Sequence, residues 1–311
     1  AAIPLLQATL DCYPYSINHW NSLGKCYLST NDYEEAHEAI DFALAIDDSN
    51  AEALTLKAFC YQQSGELQKS CDYYLRLAEQ QENKTRAYLA LAKTYFEMQD
   101  YTSSIYYIEA LLDNKDALSK YELSELYGDI ALCHAALKHI GVGQASIRRS
   151  LELNENDPDT LIVAGRFFLM EAKACNDETA KAENQAKGEL YFRQALNLIM
   201  EDERLDYLFT IGAACFDTQN FKLAAQYYEQ INREFPDNAP ATYFFLAYCY
   251  FYLEEAISCM HYIAKMKHEL PDAYSNLGTS DSILSDTRFN ELMRNLKDSV
   301  NNGKVDLDNF L

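Results

Sequence analysis

The residues best able to ligate a metal or act as a nucleophile or base are six histidines and nine cysteines. A zinc site needs Cys and His pairs about two to five residues apart. No C-x-x-C occurs, and none of the cysteines lies in a Cys/His cluster of that spacing. His134 and His139 stand five apart, so on one helix they fall on different faces. His261 and His268 are seven apart and share a face, but no third ligand accompanies them. The chain also lacks G-x-S-x-G, a glycine-rich phosphate loop, H-E-x-x-H and the acidic loop that holds calcium. No catalytic residue, metal or cofactor is expected, and the sequence reads as a non-enzyme.

Chemistry must then come from a surface, and the surface from the elements that carry it. Trp20 to Asp48 holds Trp20-x2-Leu23-Gly24-x2-Tyr27, then Ala36-x3-Ile40-x2-Ala43, two helical patterns joined by the turn-like Thr30-Asn31-Asp32. One step of 34 residues on, Leu54, Ala58, Tyr61, Leu67, Ser70, Tyr74 and Leu77 fill the same slots. A second step gives Tyr88, Leu91, Ala92, Tyr95, Tyr101, Ser104, Ile108 and Leu111. This period and slot pattern resembles the tetratricopeptide repeat. The resemblance extends over nearly the whole chain. It implies an all-α, right-handed superhelical solenoid of about seven helix-turn-helix repeats.

By register the repeats run 17–50, 51–84, 85–123, 124–157, 158–204, 205–239 and 240–271, a single superhelix over 1–311. Residues 1–16 read as the second helix of an earlier repeat, so a longer parent chain is expected. Residues 272–311 form a degenerate repeat and a cap. There Phe289, Leu292, Met293, Leu296 and Val300 recur at helical intervals after a cap at Ser285 or Asp286, with 301–311 frayed. In the fourth repeat Gly141 and Gly143 weaken the start of the second helix by about 1 kcal/mol each. The fifth carries about eleven extra residues around ACNDETAKAEN. They are helix formers, so two lengthened helices are expected, as a docking knob or a tolerated insertion.

Net charge is −22, from 48 acidic and 26 basic residues. A polyanionic nucleic acid would be repelled, and no apolar run approaches the roughly 18 residues of a spanning helix. Nucleic-acid binding and membrane insertion are therefore not expected. The odd count of dispersed thiols, with Cys26, Cys60, Cys133 and Cys249 beside the Tyr27-like slot, points to a reducing, cytoplasmic setting.

The resemblance also implies that the first helices line a concave groove. In its register the first three repeats turn Asn18, Asn21, Lys25, Glu52, Thr55, Phe59, Gln62, Arg86, Leu89, Lys93 and Phe96 to that face. Arg166 joins them in the fifth. The sixth and seventh contribute Asp206, Phe209, Phe216, Asp217, Phe244, Tyr248, Phe251 and Tyr252. The N-terminal half is polar and the C-terminal half aromatic. Some proteins of the family clamp a chaperone C-terminal carboxylate. Here Lys25, Leu56 and Ala90 replace the two Asn and the Arg that the clamp needs, which speaks against that ligand. The expected function is a scaffold holding a peptide or helix of a partner protein. Aromatic anchors would give affinity, and Lys25, Arg86 and Lys93 orientation. Two alternatives stay open: a self-associating module whose aromatic face is a homodimer interface or lies under the cap helix, and the targeting arm of a larger enzyme.

Overall fold

The computed structural model describes residues 2–113, 118–276, 286–292 and 294, and every regular element among them is a helix. The chain forms two compact units, Ala1–Leu153 and Asn154–Leu311. The first opens with helix α1 (Ala2–Cys12). Helix hairpins follow: α2 (Ile17–Ser29) with α3 (Tyr33–Ile46), α4 (Ala51–Gln63) with α5 (Leu67–Ala78), α6 (Lys84–Glu97) with α7 (Tyr101–Leu112), and α8 (Lys120–Ala136) with α9 (Ile140–Leu153). In the second unit α10 (Pro158–Ala174) pairs with α11 (Glu178–Leu198), α12 (Arg204–Asp217) with α13 (Phe221–Glu234), and α14 (Tyr243–Tyr252) with α15 (Ala256–Glu269). The short α16 (Pro271–Asn276) closes that series. Within each unit every helix packs on the next in sequence, and first helices also touch: α2 meets α4, and α10 meets α12.

One local device recurs in the turns. Asn31, Gly65, Gln99, Lys138, Gln219 and Glu254 all take positive φ, between 59° and 77°. At each, the next residue donates its backbone N–H to a carbonyl five back: Asp32 to Tyr27, Glu66 to Tyr61, Asp100 to Tyr95, His139 to His134, Asn220 to Cys215 and Glu255 to Tyr250, at 2.8–2.9 Å. This bond satisfies an orphan carbonyl of the first helix and reverses the chain. Gly65 takes the left-handed conformation without steric cost, whereas a long side chain there costs about 1–2 kcal/mol. The α10–α11 joint is different. Asp177 accepts from Ala180 N–H at 2.7 Å and starts an α11 of 21 residues. The extra residues do lengthen the helices, and α11 buries nothing before Gly188.

The core is built from knobs on the second helices set against small residues on the first. A Cβ on Gly165 would stand 2.4 Å from Phe192, one on Gly212 2.8 Å from Tyr228, and one on Gly24 2.8 Å from Ile40. Phe192, Tyr228 and Ile40 are fully buried, and burying each stabilises the fold by about 2 kcal/mol. The thiols belong to this packing. Cys60, Cys133 and Cys249 are buried and Cys26 half-buried, and all nine cysteines are free. Burial pushes Cys60 and Cys133 up to about 11, and Cys249 and Cys259 to about 12, which makes them poor nucleophiles.

Helix α9 starts at Ile140 and includes both Gly141 and Gly143, so the glycines do not delay it. Residues 287–292 are helical, and Asp286 accepts from the backbone N–H of Arg288 at 2.9 Å, acting as the cap. The expectations for Ser285, Met293, Leu296, Val300 and 301–311 lie outside the described residues.

Candidate functional site

In the first unit, the face of α2, α4 and α6 is a polar ladder. Asn21 is buried and donates to Asn50 at 3.1 Å and to Glu52 at 3.0 Å. Asn50 in turn caps α4 by accepting from Ala53 N–H. Lys25 forms a short ion pair with Glu52. One step on, Gln62 donates to both carboxylate oxygens of Glu97 at 2.8 and 2.9 Å. The hydrogen bond from Lys25, then the one from Asn21, and the charges of Lys25 and Arg86 hold the Glu52 carboxyl below its ordinary value. Lys25 is thus engaged inside the chain rather than standing ready for a partner, and Asn21 is a packing residue. Arg86 and Lys93 are exposed. Phe59 is exposed on α4, while Phe96 is half-buried edge-on to Tyr101 at 5.3 Å.

In the second unit, the corresponding face of α12 and α14 is aromatic. Phe216 is its hub: its ring meets Phe221 at 5.7 Å, Phe245 at 5.5 Å and Tyr248 at 6.3 Å. Phe245 stacks on the buried Tyr228, which also meets Phe209. Tyr252 stacks on Phe221 at 4.4 Å, and Phe244 lies 4.6 Å from Tyr248. Such pairs contribute about 0.5–1.5 kcal/mol each beyond their buried area. The rings therefore brace one another, and two of them still face solvent. Phe244 is 39% and Tyr252 42% exposed, whereas Phe209, Phe216 and Tyr248 are half-buried. Arg166, half-buried on α10, reaches Asp217 at the end of α12 at 3.5 Å.

Phe251 corrects the register reading. It is only 6% exposed and packs with Cys259, Ile263, Met266 and Phe289. The 287–292 segment causes this: Phe289 sets its ring 6.3 Å from Phe251, and the Arg288 guanidinium lies over Phe251 at 5.2 Å and Tyr252 at 5.3 Å. Tail residues thus cover the Phe251 end of the aromatic face and leave Phe244 open.

A second correction concerns His134 and His139. They are not separated by their spacing, because the positive-φ Lys138 folds His139 back and brings the two Nδ1 atoms to 3.4 Å. Burial, then the neighbouring His139, lowers the His134 pKa.

Paired helices in series, all but α10–α11 joined by one recurrent turn and presenting first-helix side chains on a face, define an all-α repeat solenoid. Residues 21–85 match the family model for the tetratricopeptide repeat. That segment is therefore tetratricopeptide repeat, and the helix pairs that follow it repeat the same architecture. A tetratricopeptide repeat protein from Parabacteroides merdae aligns over 89% of this chain and 98% of its own, with 14% identity and TM-score 0.57. PilF from Pseudomonas aeruginosa covers 71% of this chain and 92% of its own at 18% identity and TM-score 0.47. PilW, a type IV pilus biogenesis factor, covers 71% and 94% at 18% identity and TM-score 0.49. At these identities the likeness establishes the fold alone, and the two lower scores add no weight. No curated protein matches the sequence. Among the described residues no helix is long and apolar enough to cross a membrane.

Proposed function

We propose that the chain is a non-catalytic protein-binding module, and that the α12–α14 face is where it takes a peptide or helix of a partner protein. The carrying observation is the braced aromatic cluster, with Phe244 and Tyr252 open to solvent beside Phe209, Phe216 and Tyr248. Preorganised aromatic rings lose little conformational entropy on binding, which is why such residues dominate interface energetics. Burial and a raised pKa make the core thiols poor nucleophiles, and a reducing, cytoplasmic setting belongs to the same proposal.

Arg86 and Lys93 serve as cationic contacts for a partner on the polar face; Lys25, already paired with Glu52, does not. The division into seven repeats with the boundaries set out above belongs to the same reading. The test is affinity capture from an extract of the source cells by the wild type and by Phe244→Ala/Tyr248→Ala. A protein retained by the wild type and lost from the variant is expected. Equal capture by both would remove the aromatic face from the proposal.

A further inference from the structure

The α8–α9 turn departs from its counterparts in one position. At the other five turns of this type the residue after the positive φ is Asp32, Glu66, Asp100, Asn220 or Glu255, an acidic or amide side chain at the start of the second helix. Side chains of this kind suit a helix N-terminus, by capping or through the helix dipole. In α8–α9 that position is His139, and the residue five back, Tyr27, Tyr61, Tyr95, Cys215 or Tyr250 elsewhere, is His134. Two imidazoles therefore replace a pairing that is never His–His in the rest of the chain, although of the five counterparts Asp100 alone caps its helix through its side chain. Gly141 follows, and a Cβ there would meet nothing within 4 Å, so no packing contact requires a glycine at that exposed site. The glycine lowers helix propensity at this turn without a gain in packing.

The gain lies in the geometry of the pair. The two Nδ1 atoms are 3.4 Å apart, at the outer limit of a hydrogen bond. Two nitrogens on one tetrahedral ion, with metal–nitrogen bonds of about 2.0–2.1 Å, stand about 3.3–3.4 Å apart. The ring centroids are 5.6 Å apart with planes tilted by 43°, so the rings do not stack, and the two nitrogens share one proton or, in its place, one ion. The turn that sets this distance is fixed by the backbone bond from His139 N–H to the His134 carbonyl at 2.8 Å. The Glu109 carboxylate on α7 is the acidic group that bears on His134.

We propose that His134 and His139 form a two-imidazole site for a zinc-type divalent ion, with Nδ1 of each as ligand. No group of three protein ligands exists among the described residues, so water completes the coordination sphere. The ion replaces a helix cap. It ties the end of α8 to the start of α9 and stiffens the one hairpin whose second helix opens on glycines.

The test uses the full chain with reduced thiols and Zn²⁺ alone as probe, read by calorimetric titration and by Tm. One equivalent is expected to bind and to raise Tm, since an ion held by the folded state stabilises it. His139→Gln and His134→Gln should each weaken binding by about tenfold or more and abolish the Tm rise. Cys12→Ser and His261→Gln should bind like the wild type, Cys12 being the exposed thiol. His139 is exposed, so His139→Gln decides the matter even if His134→Gln does not fold. Zn²⁺ binding that survives in His139→Gln, disappears in Cys12→Ser, or is absent from the wild type would overturn the site.

Discussion

The α2–α4–α6 face and the α12–α14 face occupy equivalent positions on their helices, yet they manage exposed first-helix side chains in opposite ways. On the polar face Asn21, Lys25 and Gln62 find partners inside the chain, Asn21 and Lys25 on Glu52 and Gln62 on Glu97, while Arg86 and Lys93 stay exposed. Its hydrogen bonds and ion pairs are already made before any ligand arrives, and a ligand would have to exchange them at little net gain. On the aromatic face the partners are other rings, and ring–ring contact leaves Phe244 39% and Tyr252 42% exposed, Tyr252 also lying beneath the Arg288 guanidinium. Apolar surface gains by further burial, whereas a paired charge does not. The second face is therefore the one with binding energy still to release.

The sharpest way to break this contrast is at Phe251, placed by register with the anchors but buried by structure. Phe251→Ala should cost about 3 kcal/mol in urea denaturation, the loss of a core ring. A stability change below about 1 kcal/mol would show that the tail residues do not cover it. Next in size is the partner affinity of Phe244→Ala/Tyr248→Ala. It should fall by about 2 kcal/mol, about thirtyfold, in a titration against the captured partner, with a smaller effect on stability because Phe244 is exposed. Lys25→Met sharpens the other side. Its ion pair with Glu52 is solvent-exposed on both partners, so stability should change by less than about 1 kcal/mol and partner affinity not at all.

The smallest effect is in acid. The folded state holds Glu52 below its ordinary value of 4.5, so it binds fewer protons than the unfolded chain there. The resulting stability is present above that value and fades as pH falls through the lowered one. Glu52→Gln should flatten the stability–pH curve in that acid range and leave it unchanged near neutrality.

Most of the helical framework is legible in the sequence, because a slot is a local, periodic quantity. Gly24 and Ile40 are both slots of the 34-residue register, and the structure sets one against the other. The misreadings are long-range or turn-specific. Nothing periodic connects Phe251 to Phe289, so the tail contact that buries one member of an aromatic run cannot be read from spacing. Lys25 and Glu52 lie in different repeats, and only their three-dimensional neighbourhood cancels the apparent cation. His134 and His139 are five apart on opposite sides of a helix end, where the helical rule no longer holds. The signal for that pair was available in one place: in the repeat frame, both residues fall on slots flanking a turn, not within one helix.

The most direct measurement of the central claim is site-specific photo-crosslinking in an extract of the source cells, with the crosslinking amino acid at position 244 in one sample and at position 93 in another. A discrete protein adduct is expected at 244, of a mass other than twice that of this chain, and lost when Tyr252 is also replaced by alanine. An adduct at 93 with none at 244 would contradict the assignment of binding to the aromatic face. An adduct at 244 of twice the chain mass would make that face a self-association surface instead.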